Sequence, residues 1–201
     1  MTVYDLKPAF QNLLRPLCRA LAARGVSANQ VTLAALILSL LSGGAIWLSG
    51  GARWTLLVLP LVLFVRMALN AIDGMLAREH DMQSAKGAIL NEMGDVISDA
   101  ALYLPFALLP GMPRQLLVVG VVLAVMVEMC GVVVATLGAK RSYAGPMGKS
   151  DRAVLFGALA LLFAFGVEGG WWLSLLLGIW NLLQLRTLYN RARAGLQEVA
   201  A

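Results

Sequence analysis

Six long apolar stretches, joined by short clusters of glycine, proline and charge, govern what this chain can become. They run over approximately 29–49, 54–78, 85–109, 115–139, 152–168 and 171–190. A spanning helix needs about 20 apolar residues. In hydrocarbon every backbone polar group must be satisfied internally, which a helix does. The sequence therefore predicts an all-α integral membrane protein with six transmembrane helices. Gly50-Gly51-Ala52-Arg53, Pro110-Gly111-Met112-Pro113-Arg114 and Glu168-Gly169-Gly170 are its turn signals. The loop at 140–151 is longer and polar. With 60% hydrophobic and 13% charged residues, the chain departs from the roughly 25% charge of a soluble domain. That excludes a disordered chain, a disulfide-stapled secreted domain and an ordinary cytosolic enzyme. Cys18 and Cys130 have no metal-type spacing and read as free thiols.

The segment from about Thr2 to Arg24 has a different pattern. Val3, Leu6, Phe10, Leu13, Leu14, Leu17 and Leu21 recur at three- and four-residue steps, with Lys7, Arg15, Arg19 and Arg24 between them. This predicts an amphipathic helix lying in the membrane surface, with Pro8 and Pro16 as positions for a kink. A basic helix packed on protein is the competing reading. No cleavable signal peptide is expected, since the segment lacks a short apolar region ending in small residues. The whole of 1–201 reads as one membrane domain, with 1–25 as the juxtamembrane helix and 26–195 as the bundle.

Basic residues set the orientation. Six spans put both termini and the 79–84 and 140–151 loops on one side. That side holds Lys7, Arg15, Arg19, Arg24, Arg78, Lys86, Lys140, Arg141, Lys149, Arg152, Arg186, Arg191 and Arg193, against Arg53 and Arg114 on the other. The bias places the termini in the cytoplasm of a multi-pass inner-membrane protein. It also accounts for the net charge of +5 without nucleic acid. Trp47, Trp54, Trp171 and Trp172 fall at the outer ends and read as interface anchors. His80 reads as a solvated loop residue.

Arg66, Asp73, Glu92, Asp95, Asp99 and Glu128 fall within the spans. Intramembrane charges mark function or pairing. Arg66, Asp99 and Glu128 share a depth, at roughly 18–22 Å from the cytoplasmic helix ends by the rise per residue. They are expected to pair: Arg66 with Asp99, Glu128 or both. The shallower group has another arrangement. Asn70, Asp73, Gly74 and Ala77 share one helix face. Gly87, Asn91 and Asp95 share another, with Asp99 beginning to leave it. Two helices thus offer carboxylates and amides at one depth beside small residues. Oxygen-only donor sets of this kind suit Mg²⁺ or Mn²⁺. Close helix packing through small residues explains the glycines but not the acids.

These residues resemble the signature of the CDP-alcohol phosphotransferase family, Asp-x2-Asp-Gly-x2-Ala-Arg, eight residues, Gly-x3-Asp-x3-Asp. The chain has Asn70-x2-Asp73-Gly74-x2-Ala77-Arg78, eight residues, then Gly87-x3-Asn91-x3-Asp95. Ser27-Ala28-Asn29-Gln30-Val31-Thr32 is similar to the family's Thr-Pro-Asn-x-x-Thr. The asparagine pattern resembles that of a bacterial subgroup of the family.

The resemblance implies transfer of a phosphatidyl group from a CDP-linked lipid, usually CDP-diacylglycerol, to an alcohol, with release of CMP in phospholipid biosynthesis. It implies one or two Mg²⁺ or Mn²⁺ ions, Asp95 as the base and Asp73 as a metal ligand. Asn70 and Asn91 stand in the first and third aspartate positions, and Asp99 is a further candidate ligand. Asn29, Thr32, Asp73, Gly74, Ala77, Arg78 and Gly87 would border the nucleotide. Lys140, Arg141, Lys149 and Arg152 would bind phosphate or an acidic or phosphorylated acceptor, and Ser150 or Asp151 would cap the helix there. A homodimer is implied as well.

Asparagine supplies a neutral carbonyl oxygen where the family has a carboxylate. Three arrangements answer that loss. One metal suffices, Glu92 or Asp99 compensates, or the protein binds a CDP-lipid without turning it over. A small transporter is the reading from a third class.

Overall fold

The computed structural model describes residues 7–142 and 145–200. Residues 2–6 of the expected amphipathic segment lie outside the described residues, as do Tyr143 and Ala144 of the polar loop. Seven α-helices follow in order: α1 (Lys7–Ala23), α2 (Ala28–Leu48), α3 (Arg53–Glu79), α4 (Ala85–Tyr103), α5 (Arg114–Thr136), α6 (Lys149–Ala164) and α7 (Trp171–Val199). A 3-10 turn, Leu104–Leu108, extends α4. The six apolar segments correspond to α2–α7. The expected limits differ most at α7, which continues nine residues further, and at α4, which ends as an α-helix six residues early; α6 begins three residues early and ends four early.

Local chemistry explains the starts. Ser27 and Gln30 form a reciprocal cap on α2: Gln30 N–H donates to Ser27 Oγ at 3.3 Å and Ser27 N–H to Gln30 Oε1 at 2.9 Å. Ser84 caps α4 by accepting from Gly87 N–H at 3.0 Å. At α6 the cap is Asp151, whose carboxylate accepts from Gly148 N–H at 2.9 Å. Gly50 and Gly51 turn the chain between α2 and α3 at φ of 64° and 80°, which side chains disfavour.

By length and composition α2, α3 and α5 are apolar enough to cross a membrane. Their outward residues, including Leu41, Leu61 and Met129, are exposed, as a bilayer-facing surface requires. The chain is thus an all-helical protein with membrane-crossing helices. Helix α2 packs on α3 and α4, α3 on α6, and α5 on α7. Small residues permit the closest approaches. A Cβ on Gly43 would enter the Ala101 backbone, and one on Gly120 would enter the Trp180 ring.

The larger core cluster lies between the Leu104–Leu108 turn, α3, α6 and α7. Phe156 is its centre. It stacks on Tyr103 at 4.0 Å and meets Phe106 and Trp180 edge-on at 5.1 and 5.3 Å. A smaller cluster joins α1 to α2 and α3 through Cys18, Val31, Ile72, Met75 and Leu76. Phe10 rests on Phe64 and Arg15 pairs with Glu79 at 3.0 Å, so α1 lies along α3. Leu13 and Leu17 on its other side are exposed. Both cysteines are free.

Candidate active site

Two short-range patterns aim the site residues. Helix periodicity puts Arg66, Asn70 and Asp73 on one side of α3. It puts Gly87, Asn91 and Asp95 on the facing side of α4. All six line one cavity of about 1110 Å³, together with Asn29, Thr32, Gly74, Ala77 and Arg78. Thr32 Oγ1 donates to Asp73 Oδ2 at 2.8 Å. Asn70 Nδ2 donates to Asp95 Oδ1 at 2.9 Å. The Asn29 carboxamide lies over Gly87, where a Cβ would strike it. Arg78 folds back over Gly74, its Nη2 3.0 Å from where a Cβ would stand. Gly74 and Gly87 therefore let side chains cross the backbone at this wall. Asn91 lines the cavity half-buried.

The opposite wall is basic. Lys149, Arg141 and Arg191 line it. Lys149 Nζ contacts Asp95 Oδ2 and lies 3.9 Å from Glu128 Oε2. Arg141 pairs with Glu92 and, at 3.2 Å, with Glu128. Arg191 donates to the Val127 carbonyl at 2.8 Å and to Glu128 at 3.4 Å. On the α3 side Arg66 Nη1 pairs with Asp99 at 2.7 Å. Its Nη2 donates to the Asp95 carbonyl at 3.2 Å and to Oδ1 at 3.3 Å. Arg152, wholly buried, bridges Asp99 at 2.8 Å and Glu128 at 3.0 Å. Each of these buried charges is thus matched by an opposite one, the condition for tolerating charge away from water; buried Asp73 has the Thr32 hydroxyl instead.

Several expected placements change. Arg66 takes Asp99, and Asp95 in addition, but not Glu128, whose partners are Arg152, Arg191, Arg141 and Lys149. Shared depth fixes height along the bundle, not the direction a side chain points. Asp99, a candidate metal ligand, is held by Arg66 and Arg152 and is not on the cavity wall. Glu92 is turned to Arg141, so it adds no charge at Asn91. Arg152, a candidate phosphate binder, sits one turn inside α6 and faces Asp99. Lys140 is exposed and off the cavity.

Arg191 was read from sequence as a topology charge alone. Its signal was present: Asn181, Gln184, Thr187 and Arg191 step by three, three and four, a polar face on α7. Three of them grip α5, Asn181 and Gln184 donating to the Leu116 and Gly120 carbonyls at 3.0 and 2.9 Å and Arg191 to Val127.

A family model for CDP-alcohol phosphatidyltransferase matches residues 25–183. The chain belongs to that family. The match takes in both signature helices and the basic wall except Arg191. Inner membrane protein YnbA of Escherichia coli K12 is 50% identical over 194 residues, 96% of each chain. An Aquifex aeolicus protein is 36% identical over 105 residues, 52% of this chain and 49% of its own. Among solved structures, Mycobacterium tuberculosis phosphatidylinositol phosphate synthase (PgsA1) with manganese and citrate superposes at TM-score 0.72 and 20% identity. It covers 90% of this chain and 88% of its own. The same synthase with CDP-DAG bound gives 0.71 at 21% identity, covering 92% of each. At that identity the likeness is one of fold.

Among the described residues no three acidic, histidine or cysteine side chains converge as a metal nest. The oxygen donors that the cavity offers to an ion are Asp73, Asp95 and the carbonyls of Asn70 and Asn91. Hard oxygen ligands with two negative charges fit one divalent ion of the Mg²⁺ or Mn²⁺ class. They do not fit two adjacent ones.

Proposed function

We propose that this chain transfers a phosphatidyl group from a CDP-linked lipid, CDP-diacylglycerol in the leading case, to an alcohol, releasing CMP. The observation carrying this is one cavity with the signature residues on one wall and three basic side chains on the other. Asn29, Thr32, Gly74, Ala77, Arg78 and Gly87 border the nucleotide. Arg141 and Lys149, joined by Arg191, receive an anionic, phosphorylated acceptor. Charge assistance favours that chemistry, and it draws on the cations that line the cavity rather than on Lys140 and Arg152.

In the reaction the acceptor oxygen attacks the lipid-bearing phosphorus and the bond to the CMP oxygen breaks. Asp95 takes the hydroxyl proton at Oδ1, where Asn70 is a neutral donor able to give way. A base must lie within hydrogen-bonding reach of that proton. Arg66 holds Asp95 through both its carbonyl and its carboxylate. Thr32 orients Asp73. A divalent ion held by Asp73, Asp95, Asn70 and Asn91 would neutralise the diphosphate, the main need of phosphoryl transfer.

Six membrane-crossing helices, α2–α7, with both termini and the cavity facing the cytoplasm, suit this chemistry, because CMP is water-soluble and the donor is a lipid. The steep bias of basic residues supports that orientation. Helix α1, apolar toward α3 and again at Leu13 and Leu17, fits the membrane surface. The chain then forms a single domain in the inner membrane, and the family resemblance makes it a homodimer.

Purified full-length protein with CDP-diacylglycerol, Mg²⁺ or Mn²⁺ and a panel of alcohols, phosphorylated ones included, is expected to release CMP. A second reading, a CDP-lipid binder without turnover, is favoured by the fact that Asp95 already has three side-chain partners. CDP-lipid binding with no CMP from any acceptor would establish that reading instead.

A further inference from the structure

The two aspartates of the cavity keep different company. Asp73 accepts from the Thr32 hydroxyl and meets no basic side chain at ion-pair distance among the described residues. Asp95 has both oxygens engaged: Lys149 on Oδ2, Arg66 and Asn70 on Oδ1. Lys149 is the first residue of α6, where the helix dipole disfavours a cation. Its position follows from Asp95 and Glu128, not from the helix it begins.

Charge around the cavity is balanced before any ligand arrives. Asp73, Glu92, Asp95, Asp99 and Glu128 face Arg66, Arg141, Lys149, Arg152 and Arg191. Arg78 and Asp151, also on the wall, cancel each other. Two dications would add four positive charges to a neutral, largely buried network. One dication is offset by the two negative charges of a diphosphate diester. Mg²⁺-type ions commonly bind through one or two carboxylates plus substrate phosphates. An ammonium on a flexible stem is a compact point charge with three donors, able to serve a phosphate oxygen while it neutralises a carboxylate.

We propose that this chain binds a single divalent cation, held through Asp73, and only together with the CDP diphosphate. The Lys149 ammonium on Asp95 supplies the charge that a second cation would carry. Asn70 and Asn91 belong to the same arrangement: two more carboxylates would need the cation that Lys149 replaces. The inference rests on the CDP reading and narrows it from one or two ions to one.

Equilibrium dialysis of the full-length protein in detergent, counting Mn²⁺ and CDP per chain, tests it. With CDP present, one Mn²⁺ and one CDP per chain are expected; without CDP, no Mn²⁺ is retained at the same concentrations. Asp73→Asn is expected to lose the ion. Two Mn²⁺ per bound CDP, or one retained without CDP, overturns the inference and leaves the CDP reading standing. No CDP retained at any Mn²⁺ concentration overturns both. The combined variant Asn70→Asp, Asn91→Asp, Lys149→Met is expected to retain two Mn²⁺ per chain. A well-folded combined variant that still holds one would remove these three residues as the cause.

Discussion

The cluster around Phe156 and the cluster around Glu128 do the same job by opposite means. The first joins α4, the Leu104–Leu108 turn, α6 and α7 through ring faces and edges. The second joins α4, α5, α6 and α7 through ion pairs to Asp99 and Glu128. Ring packing is tolerant, because a smaller apolar group still makes dispersion contacts and loses only the burial of the removed atoms and the cavity left behind. Ion packing is unforgiving, because removing one partner leaves a charge with no water to solvate it. The stringent mode stands next to the cavity, where charged groups are needed, and the tolerant mode stands away from it.

The largest expected effect separates chemistry from packing within the charged cluster. Asp95→Asn is expected to lower CMP release by about 100- to 10,000-fold, the usual worth of a positioned base, while detergent-solubilised protein stays monodisperse. Unchanged turnover would remove Asp95 from its proposed role. Next is Arg152→Met, which takes away the cation that Asp99 and Glu128 share and leaves the buried cluster with one negative charge in excess. We expect a loss of about 3–5 kcal/mol, seen as a large fall in melting temperature. Adding Asp99→Asn, which leaves Arg66 with Asp95, should recover part of that loss, and no recovery would break the account of unbalanced buried charge. Phe156→Ala should cost somewhat less, about 3 kcal/mol. A greater loss there than at Arg152 would reverse the comparison. Smallest is Arg15→Ala, since the Arg15–Glu79 pair is part-exposed at 35% and 38%. The melting temperature should not move, because surface pairs contribute little.

The signature faces were legible because helix periodicity alone sets them. Asn70, Asp73, Asn91 and Asp95 do meet at one cavity, as their steps of three and four require. The pairing of Arg66 with Asp99 was legible from depth. The fate of Arg152 was not, since it hung on where α6 begins. Starting that helix at Lys149 moves Arg152 one turn inward, from the mouth of the bundle to its interior. Depth offered Arg66 both Asp99 and Glu128 and could not choose between them, because a depth argument carries no angular information; the structure takes Asp99.

By itself the sequence determined the all-helical membrane class, the family and the spacing of the signature. Each is a property of local composition and period, which survive without knowledge of neighbours. Only the tertiary structure decided which acids remain open to a ligand. Asp73, Asp95 and Asp99 look alike in the chain, yet Thr32, Lys149 and Arg152 reach them from helices 41, 54 and 53 residues away. A carboxylate's role is set by the charge that packs against it, and packing between distant helices is written in no local pattern.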